Sequence, residues 1–135
     1  MCIVQGGVLS NSGMFDFEKL EVYQHVNQTN VKVLKEIAAK NSNDPYLYEC
    51  LKKATVSILL NLSEGTGRIS PKDKNEYYTN ARSAVFESVA ILNLLRGMGL
   101  VEEDVYHELY DDYERCSKML LGMLRNYSQS RNPQA

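Results

Sequence analysis

The sequence predicts an all-α protein, an antiparallel up-down-up-down four-helix bundle. Three observations carry that expectation. Four segments space their apolar residues at the helical period, three turn signals rich in Gly, Pro and Asn divide them, and no segment alternates as a strand would. Long amphipathic rods joined by short connections pack against their sequence neighbours in alternating direction, which gives the bundle.

Taken in order, residues 1–14 mix Gly, Ser and Asn with isolated apolar residues and are expected to form a disordered N-terminal extension, with Met14 a plausible natural start. From Asp16 to about Lys40, Leu20, Tyr23, Val26, Val33, Leu34, Ile37 and Ala38 fall at helical spacing. Asn41-Ser42-Asn43-Asp44-Pro45 then breaks the pattern, with Asp44 as N-cap and Pro45 at the first helical position. The second helix carries Leu47, Leu51, Ala54, Ile58 and Leu62 on one stripe. It is expected to stop at Gly65-Thr66-Gly67, because Gly can adopt the left-handed backbone that ends a helix.

Ser70-Pro71 starts the third helix, and Asp73 three residues after Ser70 makes a near capping box. That helix runs on Tyr77, Ala81, Ala84, Val85, Ser88, Ile91, Leu92 and Leu95 to Arg96 and stops at Gly97-Met98-Gly99. In the fourth, Leu109, Tyr113, Cys116, Leu120, Met123 and Tyr127 alternate steps of four and three, a heptad seam that wants a partner helix. The bundle is expected to span residues 15–128, with 129–135 a flexible tail.

Composition narrows the function. A chain of 135 residues is one domain by size, and its 44% hydrophobic and 24% charged residues suit a folded soluble protein. A net charge of −2 gives no global attraction to polyanions, so any nucleic-acid role needs a local patch. No apolar run approaches the roughly 18 to 20 residues that span a bilayer, and the N-terminus lacks the basic n-region of a signal peptide. Cys2, Cys50 and Cys116 are odd in number and without C-x-x-C spacing, which argues for a reducing compartment; the expected location is a bacterial-type cytoplasm. Cys50 and Cys116 sit on apolar stripes and read as small core residues.

Apolar residues also stand off the main stripes: Leu59 and Leu60 on the second helix, Val89 and Leu94 on the third, Tyr106 and Tyr110 on the fourth. A second apolar face predicts self-association.

One segment, Val56 to Glu87, is the most informative. Together with the first helix it resembles the four-helix-bundle family first described from intervening sequences in 23S ribosomal RNA genes. That family also holds the accessory variability determinant of diversity-generating retroelements. Its pattern is approximately F-x-x-L-x-V-W/Y, then R/K-R/K-A-x-V-S-I-x-x-N-I-A-E-G-x-G-R, then S, then A-R-G/S-S-x-x-E. Here Phe17, Leu20, Val22 and Tyr23 match the first part. Lys52, Lys53, Ala54, Val56, Ser57, Ile58, Asn61, Leu62, Ser63, Glu64, Gly65, Gly67 and Arg68 match the second, and Ser70, Ala81, Arg82, Ser83 and Glu87 complete it. The resemblance covers about Phe15 to Tyr127. It implies a ring-shaped homopentamer with a central channel and no enzyme activity. For the retroelement branch it implies binding to a reverse transcriptase and to nucleic acid through a strongly basic surface, from which this chain departs in its net negative charge.

Candidate contacts follow. Lys52, Lys53, Arg68, Lys72, Lys74 and Arg82 gather in sequence around the second helix and its turn, where they could meet phosphates; Glu49, Glu64, Asp73 and Glu76 among them suggest a solvated charged face instead. Asn61, Glu64, Gly65, Gly67, Arg82 and Glu87 form the family motif, with a structural or interface role. Asn61, Arg82 and Glu87 are expected to fix helix register or a subunit contact. Arg68 would complement the carbonyl end of the second helix or pair with Glu64. A run from Glu102 to Glu114 makes an acidic pole.

His25 and His107 lack ligand-spaced neighbours, and no Glu-x-x-His pattern of di-iron bundles occurs, so no metal, cofactor, catalytic residue or small-molecule substrate is expected. The reading is a non-enzymatic oligomeric interaction protein that docks RNA or a reverse transcriptase as an accessory factor. Its alternative is a purely protein-binding scaffold without nucleic-acid contact. In both the chain's first partner is itself.

Overall fold

In the computed structural model, which describes residues 15–38 and 45–131, the apolar periodicities become four helices and no strand. They are α1 (Glu21–Val33), α2 (Pro45–Gly67), α3 (Pro71–Gly97) and α4 (Glu103–Arg131). The expected extension, the Asp44 cap and the end of the tail lie outside the described residues. Each helix turns its stripe inward. Val22, Val26 and Val33 from α1, Leu51, Ile58 and Leu62 from α2, Val85, Leu92 and Leu95 from α3, and Leu109, Tyr113, Cys116 and Leu120 from α4 form one buried cluster. α1 packs on α2 and α4, and α3 packs on the same two. The backbones of the diagonal pairs stay apart among the described residues. The result is a four-helix bundle with a single core.

Local chemistry sets the starts. Ser70 holds an extended backbone and its Oγ accepts the Asp73 N–H at 3.1 Å, with Pro71 at the first helical position where no N–H is needed. Helix α2 likewise opens on Pro45. The α3–α4 turn uses Gly99 at φ +74°, a backbone that L side chains rarely adopt.

The first predicted helix is interrupted. Asp16–Lys19 form a single 3₁₀ turn, Leu20 is extended at ψ 132°, and α1 begins only at Glu21. Two contacts favour the break: Gln24 Nε2 donates to the Glu18 carbonyl at 3.1 Å, and Phe17 meets the Tyr23 ring edge-on at 4.9 Å between centroids. After Val33 the chain widens into a π turn over Leu34–Ala38, which still buries Ile37.

Gly65 and Gly67 also depart from expectation. Helix α2 does end at Gly67, but among the described glycines only Gly99 has a positive φ. Gly65 is instead a point of close helix approach. A Cβ built there would lie 2.6 Å from Tyr78 Cε1 and 3.1 Å from Tyr77 Cβ. The ring of Tyr78, almost wholly buried, occupies the space a side chain would take.

Candidate functional site

Among the described residues, helix α2 shows a face that nothing covers. Tyr46, Cys50, Lys53, Ser57 and Leu60 recur in steps of four and three, with Val56 beside Ser57, so they line one side of the helix, opposite Leu51, Ile58 and Leu62 in the core. Tyr46 is 71% exposed, Leu60 56% and Val56 42%. An open groove of about 830 Å³ follows this side. The Cys50 thiol hydrogen-bonds Tyr46 and raises the phenol pKa above its usual value. Cys50 is thus half-buried on the outer face and not a core residue, whereas Cys116 is fully buried and its thiol is pushed up to about 12 by burial.

A second unpartnered apolar surface lies across the bundle, in the crease between α3 and α4. Val89, Ala90, Asn93, Tyr110 and Glu114 line about 340 Å³ there, and Phe86, 55% exposed, stands on its edge. Phe86 also borders a smaller hollow with Thr79, Arg82 and Leu124, so the crease continues along α3. Leu94 is exposed as the off-stripe reading expects. Tyr106 is not: it is buried, carries the Arg96 guanidinium over its ring at 4.4 Å, and donates its hydroxyl proton to Asn93 Oδ1.

The six candidate basic residues do not form one patch. Lys52 pairs with exposed Glu49 at 3.1 Å, and Lys53 stands exposed beside it on α2. Arg68 turns to Tyr77, with Nη2 donating to the hydroxyl at 2.6 Å and the guanidinium 4.7 Å over the ring. It neither pairs with Glu64 nor caps α2. Lys74 has that task, donating to the carbonyls of Thr66 at 3.0 Å and Gly65 at 3.4 Å. Arg82 Nε donates to the Ser117 carbonyl on α4 at 3.2 Å, and its guanidinium lies 4.9 Å over Phe86. Lys72 is exposed at the start of α3. Structure therefore occupies Lys74 and Arg82, while Lys53, Arg68 and Lys72 face solvent.

The family-motif residues are also spread. Asn61 is half-buried on the outer side of α2, where its Nδ2 donates back to the Ser57 carbonyl at 2.9 Å and to Ser57 Oγ at 3.0 Å. Glu64, Gly67 and Glu87 are exposed. Asn61 does not meet Arg82 or Glu87 within the protomer. Of the three, Arg82 alone joins two helices.

A polar contact at the centre of the core was missed by the sequence reading. Asn30 on α1 is buried, donates through Nδ2 to the Thr55 carbonyl on α2 at 2.8 Å, and accepts from the Tyr113 hydroxyl on α4 at 3.2 Å. Burial raises the Tyr113 pKa far above its usual value, against the opposing pull of the Thr55 and Ser88 hydroxyls. The sign was available: Asn30 follows Val26 by four and precedes Val33 by three, on the buried stripe.

The acidic pole is partly neutralised. Lys32 reaches Glu108 at 2.7 Å and Asp112 at 3.1 Å, and these hydrogen bonds raise its pKa, Glu108 foremost. Arg96 forks onto Glu103 at 3.1 and 2.9 Å and lowers that carboxyl's pKa. His25 Nε2 lies 3.1 Å from the Asp112 carbonyl, and His107 lies 3.5 Å from Glu103. Among the described residues no group of three or more His, Cys, Asp or Glu side chains could hold a metal ion, and no helix is long and apolar enough to cross a membrane.

A family model described as 23S rRNA-intervening sequence protein matches residues 18–122. No curated protein matches the chain.

Proposed function

The chain belongs to the 23S rRNA-intervening sequence protein family, and from that premise we propose that it is a non-enzymatic, self-assembling interaction module of the cytoplasm. Its up-down-up-down bundles associate into a ring-shaped homo-oligomer, a homopentamer by the family resemblance. The observation that carries this reading is the pair of unlike, uncovered apolar surfaces on α2 and in the α3–α4 crease. A protomer with two different sticky faces joins head to tail, and such contacts close into rings when the rotation permits. Isolated exposed apolar residues are ordinary on a monomer; aligned strips on two sides are not. Light scattering tests the reading: the expected mass in dilute buffer is several times that of one chain, and a lone protomer overturns it.

A second reading, docking of RNA or of a reverse transcriptase, rests on the cations that face solvent. Arg68 and Lys72 mark the α2–α3 turn, and Lys53 lies further up α2 beside Lys52, which Glu49 pairs. So few cations would give shallow salt dependence, since the slope in log affinity scales with the phosphates neutralised. Filter binding to ribosomal RNA between 50 and 200 mM salt tests it. Binding that weakens with salt and is lost on reversing Lys52, Lys53 and Lys72 supports nucleic-acid docking; no binding at low salt leaves a protein-only scaffold.

A further inference from the structure

Helix α1 is attached to the bundle differently from the other three. Its buried side chains are Val22, Val26, Thr29, Asn30 and Val33, short chains of which two are polar. Helix α4 by contrast buries Tyr106, Leu109, Tyr113, Cys116 and Leu120. Apolar stabilisation follows the area removed from water, so α1 has the weaker grip. Polar contacts to α4 supplement it. Lys32 reaches Glu108 at 2.7 Å and Asp112 at 3.1 Å, His25 Nε2 lies 3.1 Å from the Asp112 carbonyl, and Arg115 comes within 3.8 Å of Glu21. These ion pairs are partly or largely open to solvent, so salt screens them. Both ends of α1 are irregular as well: Leu20 is extended before it, and the π turn Leu34–Ala38 follows it. Helix α1 packs on α2 and α4, and α3 packs on the same two, so removing α1 leaves the α2–α3 and α3–α4 contacts in place.

From these features we propose that α1 is a salt-released strap: it swings off as a unit while α2, α3 and α4 stay packed, and Lys32 is its latch. Opening bares the side of the core that α1 covers. Asn30 parts from the Thr55 carbonyl and the Tyr113 hydroxyl, and Thr29 parts from the Cys116 thiol beside it. Cys116 is fully buried in the closed protein, so its exposure reports the strap. Units with few buried apolar contacts open in this way at a cost below that of global unfolding. The inference is independent of the self-assembly and RNA readings, since it uses neither uncovered surface.

Thiol labelling under native conditions tests it. With Cys2→Ser and Cys50→Ser, Cys116 is the only thiol left, and its labelling rate at fixed protein concentration measures the opening. The dependence on urea scales with the surface exposed, so the expected slope is well below that of global unfolding. Hydrogen exchange of the α1 amides should show the same shallow slope while amides of α3 and of the middle of α4 stay protected. Raising salt from about 0.01 to about 1 M, which shortens the screening length from about 30 to about 3 Å, should speed labelling. The expected gain is about two- to fivefold. Lys32→Met should give a similar gain without added salt and remove most of the salt effect. Lys52→Met, which breaks a pair within α2, should do neither. Cys116 labelling with the full slope of global unfolding overturns the strap, and so does exchange of α4 together with α1. A Lys32→Met variant that labels no faster, or that keeps the whole salt effect, overturns the latch.

Discussion

Tyr113 on α4 donates its hydroxyl proton to Asn30 Oδ1 on α1, at 3.2 Å in the centre of the bundle. The same Asn30 amide reaches the Thr55 carbonyl on α2, so one buried side chain links three helices. A buried acceptor left without its donor costs about 1–3 kcal/mol. Tyr113→Phe keeps the ring and removes the donor, and urea unfolding should show a loss of that size. Asn30→Ala removes both contacts and should cost more. Because the two residues touch, the double variant should lose less than the sum of the singles, by about 0.5–3 kcal/mol.

That layer shows where sequence reading reaches and where it stops. The start of α3 was readable because Ser70, Pro71 and Asp73 act within one turn. The heptad seam of α4 placed Leu109, Tyr113, Cys116 and Leu120 in the core because its period is strict, and stepping back three from Leu109 would have placed Tyr106 there too. Family membership was readable from the motif around Asn61 to Arg68. The break at Leu20 was not, since it depends on Gln24 reaching back to the Glu18 carbonyl. Closeness in sequence also misled for the cations. Lys74 and Arg82 share a helix with Lys72, yet one caps α2 and the other crosses to α4, because successive helical residues point in different directions.

Gly65 separates two uses of glycine that look alike in sequence. Replacing Gly by Ala within a helix normally gains up to about 1 kcal/mol. At Gly65 the new methyl would sit 2.6 Å from a ring carbon of buried Tyr78, which has nowhere to go. Overpacking of this kind costs about 1–3 kcal/mol. Gly65→Ala should therefore lower the thermal midpoint. Gly67→Ala, with open space at its Cβ and no positive φ, should leave it unchanged or raise it.

Gly99 is the one described position where backbone conformation itself requires glycine. Its φ of +74° lets the chain leave α3, and the Gly99 and Leu100 amides donate to the Arg96 and Leu95 carbonyls at 2.9 Å. Gly99→Ala meets no atom within 4 Å, so any cost comes from the left-handed backbone and should be about 1 kcal/mol. Gly97→Ala also has open space but lies inside α3, and should be neutral or stabilising. Chemical denaturation of the two variants side by side isolates the backbone term.

Cys116 makes stability fall in alkali. Its thiol is buried and titrates in the folded chain near 12, against an ordinary value of 9.0, because burial disfavours the thiolate. Below pH 9 both states hold the proton and the difference has no effect. Above it the unfolded chain ionises first and binds fewer protons than the folded one, so stability drops as pH rises, at up to about 1.4 kcal/mol per pH unit until the folded thiol ionises too. Other groups titrate in the same range, so the measurement is the difference between the unaltered chain and Cys116→Ala. Removing the sulfur should destabilise the protein at pH 7, and that deficit should shrink between pH 9 and 11 as the reference loses its advantage. In the folded protein at neutral pH, Cys50 on the α2 surface should react with a thiol reagent well before Cys116 does, since only the latter must wait for the bundle to open.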